Sequence, residues 1–128
     1  MKKLLLVLLL SISSVVHAQW TNYATSTDDN KFYIDKKSIQ QTNQYKRAWT
    51  KVEFHASSNF AKKYEVLSAR ALREIDCREK KYRTLSTHYF KQSNLIEIKD
   101  SDDIVTNWQF IAPESVDEKM YEFVCKSK

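Results

Sequence analysis

Two cysteines, Cys77 and Cys125, constrain this chain more than any other feature. They are its whole thiol complement, and the residues at its start read as an export signal. Lys2 and Lys3 form the positive region, Leu4 through Leu10 with Ile12, Val15 and Val16 the apolar run, and Val16-His17-Ala18 a small-residue cleavage site. Residues 1–18 are therefore expected to be a cleaved signal peptide, leaving 19–128 as a single domain. Exported thiols meet oxidising surroundings, so Cys77 and Cys125 are expected to form a disulfide. Such a bridge adds roughly 4 kcal/mol in the chain-entropy description, an upper figure because native strain subtracts from it. A redox pair is the alternative reading, but no short oxidoreductase motif is present to lower either thiol's pKa.

The apolar run is shorter than the roughly 20 residues a membrane span needs, and Ser11, Ser13 and Ser14 interrupt it. No cysteine near the cleavage point can accept lipid. The expected location is thus the periplasm, the cell surface or the medium, with no membrane span and no lipid anchor. Losing Lys2 and Lys3 lowers the formal charge from +5 to +3, with 19 basic residues facing 16 acidic ones. A charge that small favours solubility and implies no nucleic-acid partner. The chain has no glycine, which excludes phosphate-cradling loops, dinucleotide fingerprints and Gly-x-Ser-x-Gly elbows. It also predicts that turns needing positive φ use Asn or Asp.

Residues 20–26 and 31–35 read as a hairpin around the turn cluster Thr27-Asp28-Asp29-Asn30. Residues 36–44 are polar and read as irregular, with one helical turn around Ser38. Residues 45–54 alternate as a strand, Ala48, Val52 and Phe54 pointing one way and Tyr45, Trp49 and Lys51 the other. Residues 55–63 read as a loop anchored by Phe60. In residues 64–77, Leu67, Ala69, Ala71, Ile75 and Cys77 share a strand face, but Tyr64, Leu67, Ser68, Ala71, Leu72 and Ile75 equally make a helical stripe. Residues 81–90 and 95–99 read as a second hairpin turning at 92–94, residues 100–106 as a polar loop, and 107–111 as a short strand before Pro113. Ser115 with Glu118 is a capping box, and Val116, Met120, Phe123 and Val124 form one apolar stripe of a terminal helix. Cys125 lies off that stripe, so the helix is expected to loosen just before the bridge.

Catalytic signatures are missing. His55 and His88 are far apart, and neither zinc-ligand spacing nor a calcium loop accompanies the pairs Asp28-Asp29 and Asp102-Asp103. No enzyme activity, metal or cofactor is expected. The basic residues are more suggestive. Lys62, Lys63, Arg70, Arg73, Arg78, Lys80, Lys81 and Arg83 surround Cys77, and part of this set would form a positive patch if adjacent strands carry it. Glu65, Glu74, Asp76 and Glu79 are interspersed, so a charge-balanced, solvated face fits as well. Trp20, Trp49 and Trp108 fit either a binding platform or half-buried sheet positions.

These residues form an ordered set: Trp20, Phe32-Tyr33-Ile34-Asp35, Trp49, Tyr64 with Ser68, Ile75-Asp76-Cys77, Tyr82-Arg83-Thr84-Leu85-Ser86, Tyr89, Trp108, Pro113 with Ser115, and Cys125. The set resembles the surface-adhesin protein E family of exported bacterial proteins. The resemblance implies an α+β fold: a single antiparallel β-sheet of about six strands, with a C-terminal helix packed on one face and tethered by a disulfide. It tips residues 64–77 toward strand. It further implies adhesion to host extracellular-matrix or serum proteins such as vitronectin and laminin, with Arg70 and Arg73 as candidate contacts beside Lys81 and Arg83. The alternatives are an envelope structural or maintenance protein with a bacterial partner, a homodimer joined at sheet edges, and a small-ligand-binding role.

Overall fold

The computed structural model describes residues 17–91, 96–102 and 104–126. Strands β1 (Trp20–Thr25) and β2 (Lys31–Asp35) form the first hairpin, followed by a single 3-10 turn at Lys36–Ser38 and a short strand β3 (Gln40–Thr42). Next come β4 (Tyr45–Glu53), helix α1 (Asn59–Tyr64), β5 (Ser68–Asp76) and β6 (Lys81–Lys91). Strands β7 (Ile96–Asp102) and β8 (Gln109–Phe110) precede the terminal helix α2 (Val116–Cys125). The strands make one curled antiparallel sheet with the path β1-β2-β4-β5-β6-β7, to which β3 adds on β4 and β8 on β6. The expected α+β fold with its tethered helix is what the chain adopts.

Residues 64–77 resolve as strand over Ser68–Asp76, because both flanking strands compete for its backbone. Lys46 to Glu53 pair with it on one side and Lys81 to Phe90 on the other. Two full ladders outweigh the modest helix propensity of its residues. One β-bulge places Leu85 between the partners of Leu72 and Arg73.

Four local expectations are corrected. Residues 36–44 are not wholly irregular: Asn43 takes φ 50° and folds Gln40–Thr42 back onto β4. The loop expected at 55–63 contains most of α1, which Ser58 caps through its Oγ and Glu65 ends in the left-handed region. Phe60 does anchor it, its ring 5.1 Å from that of Phe54. Strand β7 runs on to Asp102, three residues into the expected loop, while the strand expected at 107–111 shrinks to Gln109–Phe110. The expected turn at 92–94 lies outside the described residues. Positive φ also falls on Glu65, Lys80 and Glu114 besides Asp29 and Asn43. Hydrogen bonding holds two of these in place, since the Glu65 N–H donates to the Ala61 carbonyl and the Lys80 carbonyl accepts from Ile111.

Helix α2 lies on the concave face of the sheet. Met120 and Val124 pack there on Ile34, Ala48 and Ile75, all five essentially sealed from solvent. Each of the two helix side chains contributes roughly 2 kcal/mol by leaving water. The expected loosening before the bridge does not occur: α2 stays helical through Cys125. Cys77 sits one residue past the end of β5, alongside the helix flank, so its Cα is 5.7 Å from that of Cys125 without unwinding. Further ties join the helix to the sheet. The Tyr121 hydroxyl donates to the Cys77 carbonyl, Lys80 Nζ pairs with Glu118 at 2.9 Å, and Lys46 Nζ donates to the Val124 carbonyl. Among the described residues no helix is long and apolar enough to cross a membrane.

The capping box forms in altered shape. Ser115 Oγ accepts from the Glu118 N–H at 3.1 Å, while the Glu118 carboxylate reaches the Glu114 N–H. Replacing Ser115 with Ala is expected to cost about 1 kcal/mol, read as a lower denaturant midpoint at unchanged slope.

Candidate binding face

Strand alternation sends every second side chain to the convex face, away from α2. In register across β2, β4, β5 and β6 lie Tyr33, Lys51, Arg70 and His88. One rung along come Trp49, Leu72 and Ser86, and beyond them Arg47, Glu74 and Arg83. The face therefore carries cations and aromatic rings in alternation, and they touch.

Arg70 lies between two rings, its guanidinium carbon 5.5 Å from the centre of Trp20 and 4.8 Å from that of Phe90. Lys51 Nζ sits 4.9 Å over Trp20 and 4.8 Å over Tyr33. Trp49 rests against His88, and an open hollow of about 310 Å³ opens among Trp20, Trp49, Arg70, His88 and Phe90. Some four residues further along the strands, about 13 Å away, Arg83 is 4.5 Å and Lys81 5.5 Å from the ring of Trp108. The ring of Tyr45 lies 4.9 Å from that of the same indole. Cation–aromatic contacts of this kind are worth roughly 0.5–1 kcal/mol each when exposed. They also hold long side chains in fixed positions.

Glu74 underlies the Trp108 cluster. Its side chain is only 2% exposed and accepts from Arg47 Nε at 2.7 Å and from Arg83 at 2.6 Å and 2.8 Å. Burial acts to raise its carboxyl, but the hydrogen bonds and charges of the two arginines outweigh this and hold the pKa below its ordinary value. One carboxylate thus orients two arginines, and Lys81 beside them leaves the patch positive.

The candidate contacts do not all share this face. Arg70, Lys81 and Arg83 do. Arg73, three residues from Arg70, points to the concave side, where its Nη1 donates to Thr84 Oγ1 and its guanidinium lies 5.4 Å from the ring of Tyr82. The odd spacing of Arg70 and Arg73 carries this information once residues 64–77 are a strand. Sequence reasoning passed over Arg47, although alternation places it beside Tyr45, Trp49 and Lys51. All three tryptophans lie on the convex face. His55 is elsewhere, bonded through its ring to Ser57.

The model of the family described as surface-adhesin protein E matches residues 20–126. No curated protein sequence matches the chain. Among solved structures, crystal form II of Haemophilus influenzae protein E superposes with a TM-score of 0.63 at 12% identity, covering 87% of this chain and 90% of that one. A second structure of Haemophilus influenzae protein E gives 0.62 at 13% identity over 87% and 86%. Protein E from non-typeable Haemophilus influenzae gives 0.58 at 11% identity over 88% and 79%. At such identities the likeness establishes a shared fold.

Proposed function

We propose that this chain, which belongs to the surface-adhesin protein E family, is an exported, non-enzymatic binding module that grips an extracellular-matrix or serum protein with its convex face. In this reading residues 1–18 are the leader, 19–128 the mature domain, and the protein works at the cell surface. The observation that carries the proposal is the array of cations seated on aromatic rings: Arg70 between Trp20 and Phe90, and Lys81 with Arg83 on Trp108. Trp, Tyr and Arg are the residues that dominate binding energy at protein interfaces, because each offers a large apolar area with a polar handle. Here they are held in place beforehand, which reduces the ordering cost of association.

The double variant Arg70→Glu with Lys81→Glu is expected to weaken binding to immobilised vitronectin or laminin by at least about tenfold, mostly through faster dissociation. Raised salt should act in the same direction. Arg83 is left intact because Glu74 depends on it, and Arg73 because it faces inward. The alternative is an envelope partner or a second copy added at a sheet edge, which the position of β1 at the end of the sheet favours. Such an edge contact would leave binding by the double variant unchanged.

A further inference from the structure

The concave face is only partly covered. Helix α2 closes it over Ile34, Ala48 and Ile75, and Phe60 of α1 closes it at the Phe54 end. Between them lies a cavity of about 220 Å³. Its cause is legible in the strands: the floor positions Thr50, Ala69, Ala71 and Thr87 are all small, where larger side chains would have filled the space. The cavity is graded along β5. At the Ala69 end the walls are Phe32, Val52, Phe54, Phe60 and Tyr89. Four residues along the same strand, Arg73 lines the other end, together with Tyr23 and with Asp117 from the first turn of α2.

That polar end is unusual in its charges. Arg73 Nε is buried and makes no hydrogen bond among the described residues. No ion pair joins it to Asp117 among them either: the Asp117 carboxylate accepts from the Tyr82 phenol instead, and both charges act on the Tyr23 phenol. Lys51 also borders the cavity, but its ammonium lies over Trp20 and Tyr33. A buried donor without a partner is costly. Arg73 is held by Thr84 and Asp117 by Tyr82, and the two are not paired with each other among the described residues. They put a cation and an anion at the end of an aromatic-walled cavity and form a receptor for a molecule that carries both charges and an apolar body. The volume exceeds the roughly 150 Å³ that encloses a benzene ring, leaving room for a small charged head.

We infer that the concave cavity binds a free α-amino acid with an apolar side chain, its carboxylate on Arg73, its ammonium toward Asp117 and its side chain among Phe32, Phe54 and Tyr89. The site is independent of the convex face. Calorimetric titration of the purified protein with L-phenylalanine tests it, with phenylpropionate and phenethylamine as analogues lacking one charge each. Saturable binding of phenylalanine is expected, with both analogues at least roughly tenfold weaker, the factor that one charge-assisted hydrogen bond supplies. Ala71→Leu fills the cavity and should abolish binding while the thermal midpoint is kept, and Ala69→Val serves if the leucine disrupts folding. No saturable heat with phenylalanine would overturn the inference, as would binding undiminished by a cavity-filling variant or an analogue that binds equally well.

Discussion

Reducing the Cys77–Cys125 disulfide is expected to lower stability by about 3 kcal/mol and the thermal midpoint by roughly 10–15 °C. The bridge closes a span of 48 residues, which limits the unfolded chain most, and it fastens the last residue of α2 to the end of β5. The loss should fall unevenly. Side-chain contacts from Tyr121, Lys80 and Lys46 and the packed helix stripe then tie the helix down, whereas β4 and β5 keep their backbone ladders, so the helix loosens before the sheet does. Melts with and without reductant, together with a Cys77→Ser, Cys125→Ser variant, measure the size of the effect. Hydrogen exchange reads its place, with α2 amides losing protection while those of β4 and β5 retain it. Equal midpoints in both redox states would show that packing alone holds the tail.

Glu74→Gln is expected to cost about 3 kcal/mol, the lower end of the range for breaking a buried ion pair, because Arg47 and Arg83 remain partly exposed to water. The same carboxylate makes the domain acid-sensitive. Its folded pKa lies below the ordinary 4.5, so its contribution is fully present above that value and is lost as pH falls through the folded pKa. Urea unfolding at neutral pH and below about pH 4 should show the parent losing more stability on acidification than the variant. Parallel acid profiles for the two proteins would contradict this role. Because Glu74 orients Arg83 under Trp108, the variant should also weaken binding at the convex face.

Much of this architecture was legible in the residues. The first hairpin, β4, β6, the capped terminal helix and the Cys77–Cys125 bridge follow from alternation, a turn cluster, a capping box and the presence of just two cysteines. Residues 64–77 were not legible from pattern alone, since alanine and leucine fit both a helical and an alternating stripe; the flanking strands decide them. Helix α1 was hidden because six residues are too short to show a period, and its left-handed end uses Glu65 where glycine or asparagine is the usual signal. The end of β7 was obscured by the acidic residues Asp100 and Asp102, of poor strand propensity, although Asp102 pairs with Thr87 of β6. At the binding face, sequence clustering suggested one basic patch around Cys77. Alternation divides it, sending Arg70, Lys81 and Arg83 outward and Arg73 into the cavity. The glutamate that organises the outward cluster looked like one more interspersed acid. Only the pairing of Arg47 with Glu74 across β4 and β5, and of Glu74 with Arg83 across β5 and β6, distinguishes it.

The convex face holds every tryptophan of the chain, which makes the central claim directly measurable. The domain labelled with fluorotryptophan should give one fluorine resonance each for Trp20, Trp49 and Trp108, assignable by single Trp→Phe replacements. On titration with unlabelled vitronectin or laminin, the resonances of Trp20 and Trp108 should shift or broaden saturably, and raised salt should restore them. Saturable binding of the matrix protein with all three resonances unchanged would place the contact elsewhere and contradict the account.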